Sequence, residues 1–166
     1  DGLVTFRSSA VTYPRCVTDL VKLSAHLPEV RLPAGVFVVT EGGSGGSVWV
    51  LVDGSLEVRK GDLAVNTITH PGSLVGEMSA LTGTQHSASV VTTAPTVLRH
   101  AADGAAFLES DPAVLRLVAQ GLAERLAFVT TYLADLRHQY VDAPGLAMVG
   151  GVLQQLAQRQ APPARP

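Results

Sequence analysis

The chain has 166 residues, a formal net charge of −2, 16% charged residues and 46% hydrophobic residues. This composition predicts a globular fold with room for one domain and a few peripheral helices, and it excludes a largely disordered chain. The 12 lysine and arginine residues are scattered and form no basic stripe, so we expect no direct nucleic-acid contact by this fragment.

Residues 1–27 are predicted to be an N-terminal segment that carries one short helix, between Arg15 and His26. Its apolar residues recur at helical spacing, and Pro28 marks its end. Cys16 is the single cysteine, so the chain can form neither an intrachain disulfide nor a cysteine-based zinc site. A reducing cytoplasm is the expected setting, and no apolar run approaches the roughly 18 residues that cross a bilayer.

Residues 28–111 are predicted to be mainly β-structure, with one short helical stretch inserted within residues 72–90. Runs rich in β-branched residues alternate with turn sequences such as Pro-Ala-Gly, Asp-Gly and Lys-Gly-Asp, which is typical of short antiparallel strands. Their spacing of roughly ten residues favours a barrel or a sandwich. Trp49, Val50 and Phe37 are expected in its core, and the run GGSGG at residues 42–46 is expected to be a β-turn.

The stretch GSLVGEMSALTGTQHSASV, residues 72–90, predicts a short helix between two strands. Backbone N–H groups at the start of a helix lack intrahelical acceptors and attract anions, so a phosphate is expected there. Glu77 would repel that phosphate unless its carboxylate reached past it to a hydroxyl donor such as a ribose. The stretch therefore predicts a site for a sugar phosphate, with Met78, Ala80 and Leu81 facing inward.

Two helices are predicted after the last strands, which lie around Pro95. The first runs from Ala102 to Glu109 with Asp103 near its start, and the second covers residues 112–140 behind an Asp111-Pro112 start signal. The second helix would extend roughly 42 Å, longer than the β-structure can cover. One apolar stripe runs along it, and a second copy of the chain, packed as a parallel coiled coil, is its expected partner. The stripe consists of Leu115, Val118, Leu122, Leu126, Val129, Leu133, Leu136 and Tyr140.

These features resemble the cyclic-nucleotide-binding domains of the catabolite activator protein family, over about residues 28–159. The cassette of that family runs Gly-Glu, apolar residues, a turn, then arginine, small residues and a strand. The residues that match its order are Gly76, Glu77, Met78, Ala80, Leu81, Ser87, Ala88 and Val90. The resemblance implies a mainly β fold with flanking helices, an antiparallel β-roll or jelly roll followed by a long dimerisation helix.

The resemblance also implies the roles of individual residues. Glu77 would accept a hydrogen bond from the ribose 2′-hydroxyl, while Ser87 and Ala88 would offer a hydroxyl and a backbone N–H to the phosphate. Thr130 and Thr131 lie where the family's long helix contacts the purine. His86 stands where the family has the arginine that pairs with the phosphate. The expected ligand-binding set is Gly76, Glu77, Met78, Ser79, His86, Ser87, Ala88, Thr130 and Thr131.

Residues 141–166 are expected to hold a hinge, a helix and a Pro-rich tail, without the helix-turn-helix that follows in the activator. The missing initiator Met and this tail predict a fragment of a longer protein.

Three functions stay open from the sequence. The first is a regulatory homodimer that senses a cyclic nucleotide, cyclic AMP ahead of cyclic GMP, and couples it to the helix at residues 112–140. The second is a degenerate module that has lost the ligand and serves as an interaction or structural appendage of a larger assembly, and the third is the sensor half of a transcription regulator. Neither a metal nor an enzymatic activity is expected, because motifs of hydrolases, nucleotide-dependent enzymes and metalloproteases are missing.

Overall fold

The computed structural model of the protein describes residues 16–139, 151–152 and 154–156. The predictions for residues 1–15, Tyr140 and most of the segment 141–166 lie outside the described residues. The chain divides into two compact units, with the boundary between Val118 and Ala119. The order of the elements is α1 (Cys16–Leu23), β1 (Glu29–Leu32), β2 (Phe37–Val39), β3 (Val48–Asp53), β4 (Leu56–Lys60), β5 (Leu63–Ile68), β6 (Leu74–Val75), α2 (Glu77–Thr82), β7 (Ser89–Thr92), β8 (Thr96–Ala101), α3 (Gly104–Glu109) and α4 (Pro112–Gln139).

The eight strands of the first unit form two four-stranded antiparallel sheets, ordered β1-β8-β3-β6 and β2-β7-β4-β5. Apart from the hairpin β4–β5, neighbouring strands come from distant parts of the chain, as in the pairing of Glu29 with Arg99 between β1 and β8. Such crossed connections between two sheets define a jelly roll. The predicted β-roll followed by a long helix is therefore confirmed.

The core lies between the two sheets, and each sheet contributes the same number of residues to its buried cluster. Its buried cluster contains three residues of the first sheet and three of the second: Leu51, Val75, Leu98, Val39, Leu56 and Val90. The alternation of strand side chains sends one set of residues inward and the other outward. The expectation for Val50, which is fully buried, is correct.

Phe37 was expected in the core, and that prediction is wrong, because its side chain is 54% exposed. The register of β2 against β7 shifts between Phe37 and Val39, so that Phe37 pairs with Val91 and Val39 with the adjacent Val90. This irregularity breaks the strict alternation that would have sent both side chains to one face.

Trp49 is partly buried against the core cluster. Its ring stacks on the ring of His100 of the neighbouring strand β8, with centroids 3.9 Å apart and planes inclined by 22°. These two residues are directly paired across β3 and β8, which puts both side chains on one face of the sheet.

The helices after the β-roll begin as predicted, at capping aspartates. Asp103 accepts a hydrogen bond from the backbone N–H of Ala106 at the start of α3, and Asp111 accepts one from Ala113 at the start of α4, 2.7 Å away. α4 has 28 residues. In the second unit, the stripe residues Leu126 and Val129 are 54% and 47% exposed in the isolated chain.

Candidate functional site

The cassette connects β6 to β7 through α2 and is framed by two glycines with left-handed backbone. Gly76 precedes the helix with φ of 89°, and Gly83 ends it with φ of 66°. A Cβ at Gly76 would also lie 2.5 Å from the carbonyl oxygen of Ser47. Position 76 therefore requires glycine for two reasons, its backbone angle and the close approach of the neighbouring loop.

The buried side of α2 is polar. Glu77 and Ser79 are each only 4% exposed, whereas Met78 is 51% and Leu81 is 44% exposed. The expectation that Met78 and Leu81 face inward is therefore wrong. The physical reason is that Gly76 turns the chain directly from β6 into a helix of six residues, so the orientation of this single turn is set by its anchors and not by the hydrophobicity of its side chains.

His86 is buried, with 8% of its surface exposed. Its Nδ1 lies 3.1 Å from Oγ of Ser79, and the Ser79 hydroxyl also donates to the carbonyl oxygen of Gly76 at 2.8 Å. The structure thus joins three of the predicted site residues, Gly76, Ser79 and His86, in one hydrogen-bond chain.

The glycine-rich run at residues 42–46 is more than a turn, because it closes over the cassette. The backbone N–H of His86 donates to the carbonyl oxygen of Gly43 at 3.0 Å, and the N–H of Gly42 donates back to the carbonyl of His86 at 2.9 Å. A Cβ at Gly45 would lie 2.3 Å from the carbonyl oxygen of Thr84 and 2.6 Å from Cβ of Ser79. The sequence hinted at this packing only through its density of glycines.

Ser87 is exposed beside the buried His86. Its carbonyl oxygen accepts a hydrogen bond from Nζ of Lys60 at 2.6 Å, and Lys60 also forms an ion pair with Glu41. The backbone N–H of Gly61 donates to the other carboxylate oxygen of Glu41 at 2.9 Å. The structure therefore places a lysine next to the cassette, and nothing in the linear spacing of the sequence indicated it.

The pKa of Glu41 is lowered from the ordinary value of 4.5, mainly by the hydrogen bond from Lys60 and then by the one from Gly61. A carboxylate with a lower pKa in the folded chain stabilises the fold above its unfolded pKa, and this stabilisation is lost as the pH falls through the folded pKa. We expect Glu41→Gln to lower the free energy of unfolding at neutral pH, and the difference from the parent to shrink below about pH 4.5.

Urea unfolding of the parent and of Glu41→Gln between pH 3 and pH 7 measures this difference. Glu109→Gln, a change at an exposed carboxylate at the end of α3, is the matched control. A Glu41→Gln difference that stays constant over the whole pH range would contradict the assignment.

Thr130 and Thr131 lie in the second unit, on the exposed surface of α4. The hydroxyl of Thr130 donates to the carbonyl oxygen of Leu126, one turn earlier, at 2.8 Å. Their expected contact with the purine stays a prediction.

In the part of the chain that the structure describes, no three His, Cys, Asp or Glu side chains are grouped so that they could hold a metal ion. Within the same residues, no helix is both long enough and apolar enough to cross a membrane.

Comparison with known proteins gives one family for the β-roll. The family model of the cyclic nucleotide-binding domain matches residues 29–109. Among curated proteins, no sequence matches the chain.

Among the solved structures that share the fold, three show the degree of similarity. The catabolite activator protein of Thermus thermophilus is 25% identical, with a TM-score of 0.58 over 76% of this chain, and the chain spans 61% of that protein. A second structure comes from work on a cyclic-GMP-dependent signalling pathway that regulates bacterial phytopathogenesis. It is 20% identical, with a TM-score of 0.57, and the match covers 66% of this chain and 93% of that one. The regulatory subunit of a cAMP-independent protein kinase A from Trypanosoma brucei is 20% identical, with a TM-score of 0.51 over 57% of this chain and 35% of that one.

Proposed function

Because residues 29–109 form a cyclic nucleotide-binding domain of the type found in catabolite activator proteins, we propose that the chain is a regulatory module that binds a cyclic nucleotide in its cassette. The observation that carries this proposal is the buried Glu77 directly after the left-handed Gly76. A carboxylate in that place accepts a charge-assisted hydrogen bond from the ribose 2′-hydroxyl. The phosphate then lies at His86, Ser87 and the backbone N–H of Ala88.

The other expected site residues have supporting roles in this proposal. Ser79 holds the ring of His86, and Met78 is exposed where it can meet the ligand. Cyclic AMP is the proposed ligand ahead of cyclic GMP. Both belong in the test, since one similar structure comes from a cyclic-GMP-dependent pathway. The proposed setting is the cytoplasm.

The proposal includes a homodimer formed through the helix at residues 112–140. In support, Leu126 and Val129 of its apolar stripe are about half exposed in the isolated chain. Thr130 and Thr131 lie on the same helix, where they contact the purine in the proposed dimer. Ligand that binds the cassette and this helix together shifts the equilibrium between two arrangements of the helix, and so regulates whatever follows it.

Titration calorimetry with cyclic AMP and cyclic GMP tests the binding. We expect weak binding of cyclic AMP, with a dissociation constant on the order of a millimolar, because a histidine replaces the charged fork of an arginine. Weak binding calls for ligand up to several times that concentration, and a thermal shift with the same ligands gives an independent readout. No heat and no thermal shift at millimolar ligand would refute ligand sensing.

A degenerate module that no longer binds nucleotide is the second candidate, and His86 is the observation that favours it. One of the similar structures is the regulatory subunit of a cAMP-independent protein kinase A from Trypanosoma brucei. The same titration separates the two candidates. The third, the sensor half of a transcription regulator, depends on the sequence that follows Pro166, where a recognition helix would support it.

A further inference from the structure

The hydroxyl of Ser79 can donate only one hydrogen bond, and the structure indicates where it goes. Its Oγ lies 2.8 Å from the carbonyl oxygen of Gly76 and 3.1 Å from Nδ1 of His86. A carbonyl oxygen can only accept, so the Ser79 hydrogen must point to Gly76 to avoid an oxygen-oxygen repulsion at the shorter distance. This back-bonding to a carbonyl three residues earlier is common for serine in helices.

The same geometry fixes the tautomer of His86. Because the hydroxyl hydrogen of Ser79 is already used, Oγ of Ser79 accepts a hydrogen bond, and Nδ1 of His86 must supply it. Neutral His86 therefore carries its hydrogen on Nδ1, which leaves a lone pair on Nε2. A lone pair repels phosphate oxygens. Only the protonated ring keeps the hydrogen bond to Ser79 and presents a second N–H.

Lys60 is the cation that the structure places beside Ser87, the residue after His86, and its ammonium group is already engaged. Glu77 lies on α2, the helix that carries Ser79, and Glu41 and Lys60 lie on the neighbouring loop and strand. Lys60 is paired with Glu41 and bonded to the carbonyl of Ser87. A bound phosphate anion favours the charged form of a nearby imidazole.

We infer that binding of a cyclic-nucleotide phosphate to the cassette takes up one proton from solvent onto Nε2 of His86, and that Ser79 is the positioning residue that imposes this coupling. The inference rests on the proposed function and specifies its regulation. Because the bound state holds one more proton than the free chain, the affinity falls as the pH rises. Occupancy of the site then depends on both the ligand concentration and the pH.

Calorimetry of the parent with cyclic AMP between pH 5.5 and pH 8.5, in buffers with different ionisation enthalpies, measures both the affinity and the number of protons taken up. Because imidazoles generally change charge between pH 5 and pH 8, we expect uptake to approach one proton at pH 8 and the affinity to be at least about tenfold higher at pH 6 than at pH 8. His86→Arg should show no uptake and no pH slope in this range, because arginine stays charged.

Ser79→Ala is the decisive variant. Without the acceptor at Nδ1, the neutral ring is free to carry its hydrogen on Nε2 and to donate it to the phosphate, so the pH slope flattens and proton uptake at pH 8 falls clearly below one. Thr82→Ala is the matched control. This variant removes a comparable hydrogen bond on the same helix, from the Thr82 hydroxyl to the carbonyl oxygen of Met78 at 2.7 Å. It should leave the slope and the uptake unchanged.

A ligand-free measurement tests the tautomer directly. A two-bond ¹H–¹⁵N correlation spectrum of the imidazoles at pH 8.5, assigned with His86→Gln, should show the His86 hydrogen on Nδ1 in the parent, and a change of tautomer in Ser79→Ala.

The possible failures differ. Binding of cyclic AMP without proton uptake, or an Nε2–H tautomer in the parent, would overturn this inference and leave the proposed function standing. If neither the parent nor His86→Arg bound cyclic AMP at any pH, the proposed function would be overturned, and the inference with it.

Discussion

Replacing His86 by arginine should tighten the binding of cyclic AMP at pH 7.5 roughly thirty- to several-thousand-fold, which corresponds to about 2–5 kcal/mol. The reason is geometric as well as electrostatic. Arginine offers a fixed cationic fork to two phosphate oxygens, whereas the neutral imidazole in this site offers a lone pair.

Calorimetry at one fixed pH measures this gain, and a thermal melt of the free variant checks that the fold survives. His86→Lys is the informative comparison, because a lysine restores the charge without the fork and should recover only part of the affinity. If His86→Arg bound cyclic AMP no better than the parent, the phosphate would not lie at this position.

The second large effect is expected on the proposed dimer. Leu126→Asp should weaken self-association roughly 100-fold or more, because each copy of a buried leucine contributes about 1.5–3 kcal/mol and a symmetric pair loses two. The substitution should leave the isolated chain stable, since Leu126 is already 54% exposed there. Sedimentation velocity over a range of concentrations gives the dissociation constant.

Ala127→Asp is the matched control for that experiment. Ala127 is exposed on the same helix, and at about 100° per residue it faces away from the apolar stripe. The Ala127→Asp variant should dimerise like the parent. A parent chain that stays monomeric at high micromolar concentration, or equal effects of the two substitutions, would contradict a dimer through this face.

The fold was predictable where local chemistry determines it. The capping aspartates, Asp103 and Asp111, start α3 and α4 as their sequence context predicts, and the β-branched runs between glycine turns become strands. β6, with only the two residues Leu74 and Val75, is too short to give a periodic pattern. The exposed Phe37 escaped prediction because a register shift, which depends on the partner strand, overrides alternation.

The candidate site was predictable as a set of residue types and not as a set of contacts. The positions of Gly76, Glu77 and His86 followed from the order of the cassette alone. Three features of the site are contacts between residues up to 44 positions apart in the sequence, from Gly42 to His86. They are the hydrogen bond between Ser79 and His86, the closure of residues 42–46 over the cassette, and the cluster of Lys60 with Glu41. No local periodicity encodes such contacts.

The stack of Trp49 on His100 determines what the tryptophan fluorescence of this protein reports. Trp49 is the single tryptophan of the chain, so all tryptophan emission comes from an indole whose ring centre lies 3.9 Å from an imidazole. Imidazoles generally change charge between pH 5 and pH 8, and a charged ring against an indole quenches its emission. Tryptophan emission therefore reports on the surroundings of the Trp49–His100 stack, and a His100→Phe background would give each acidity titration a reporter without an imidazole beside it.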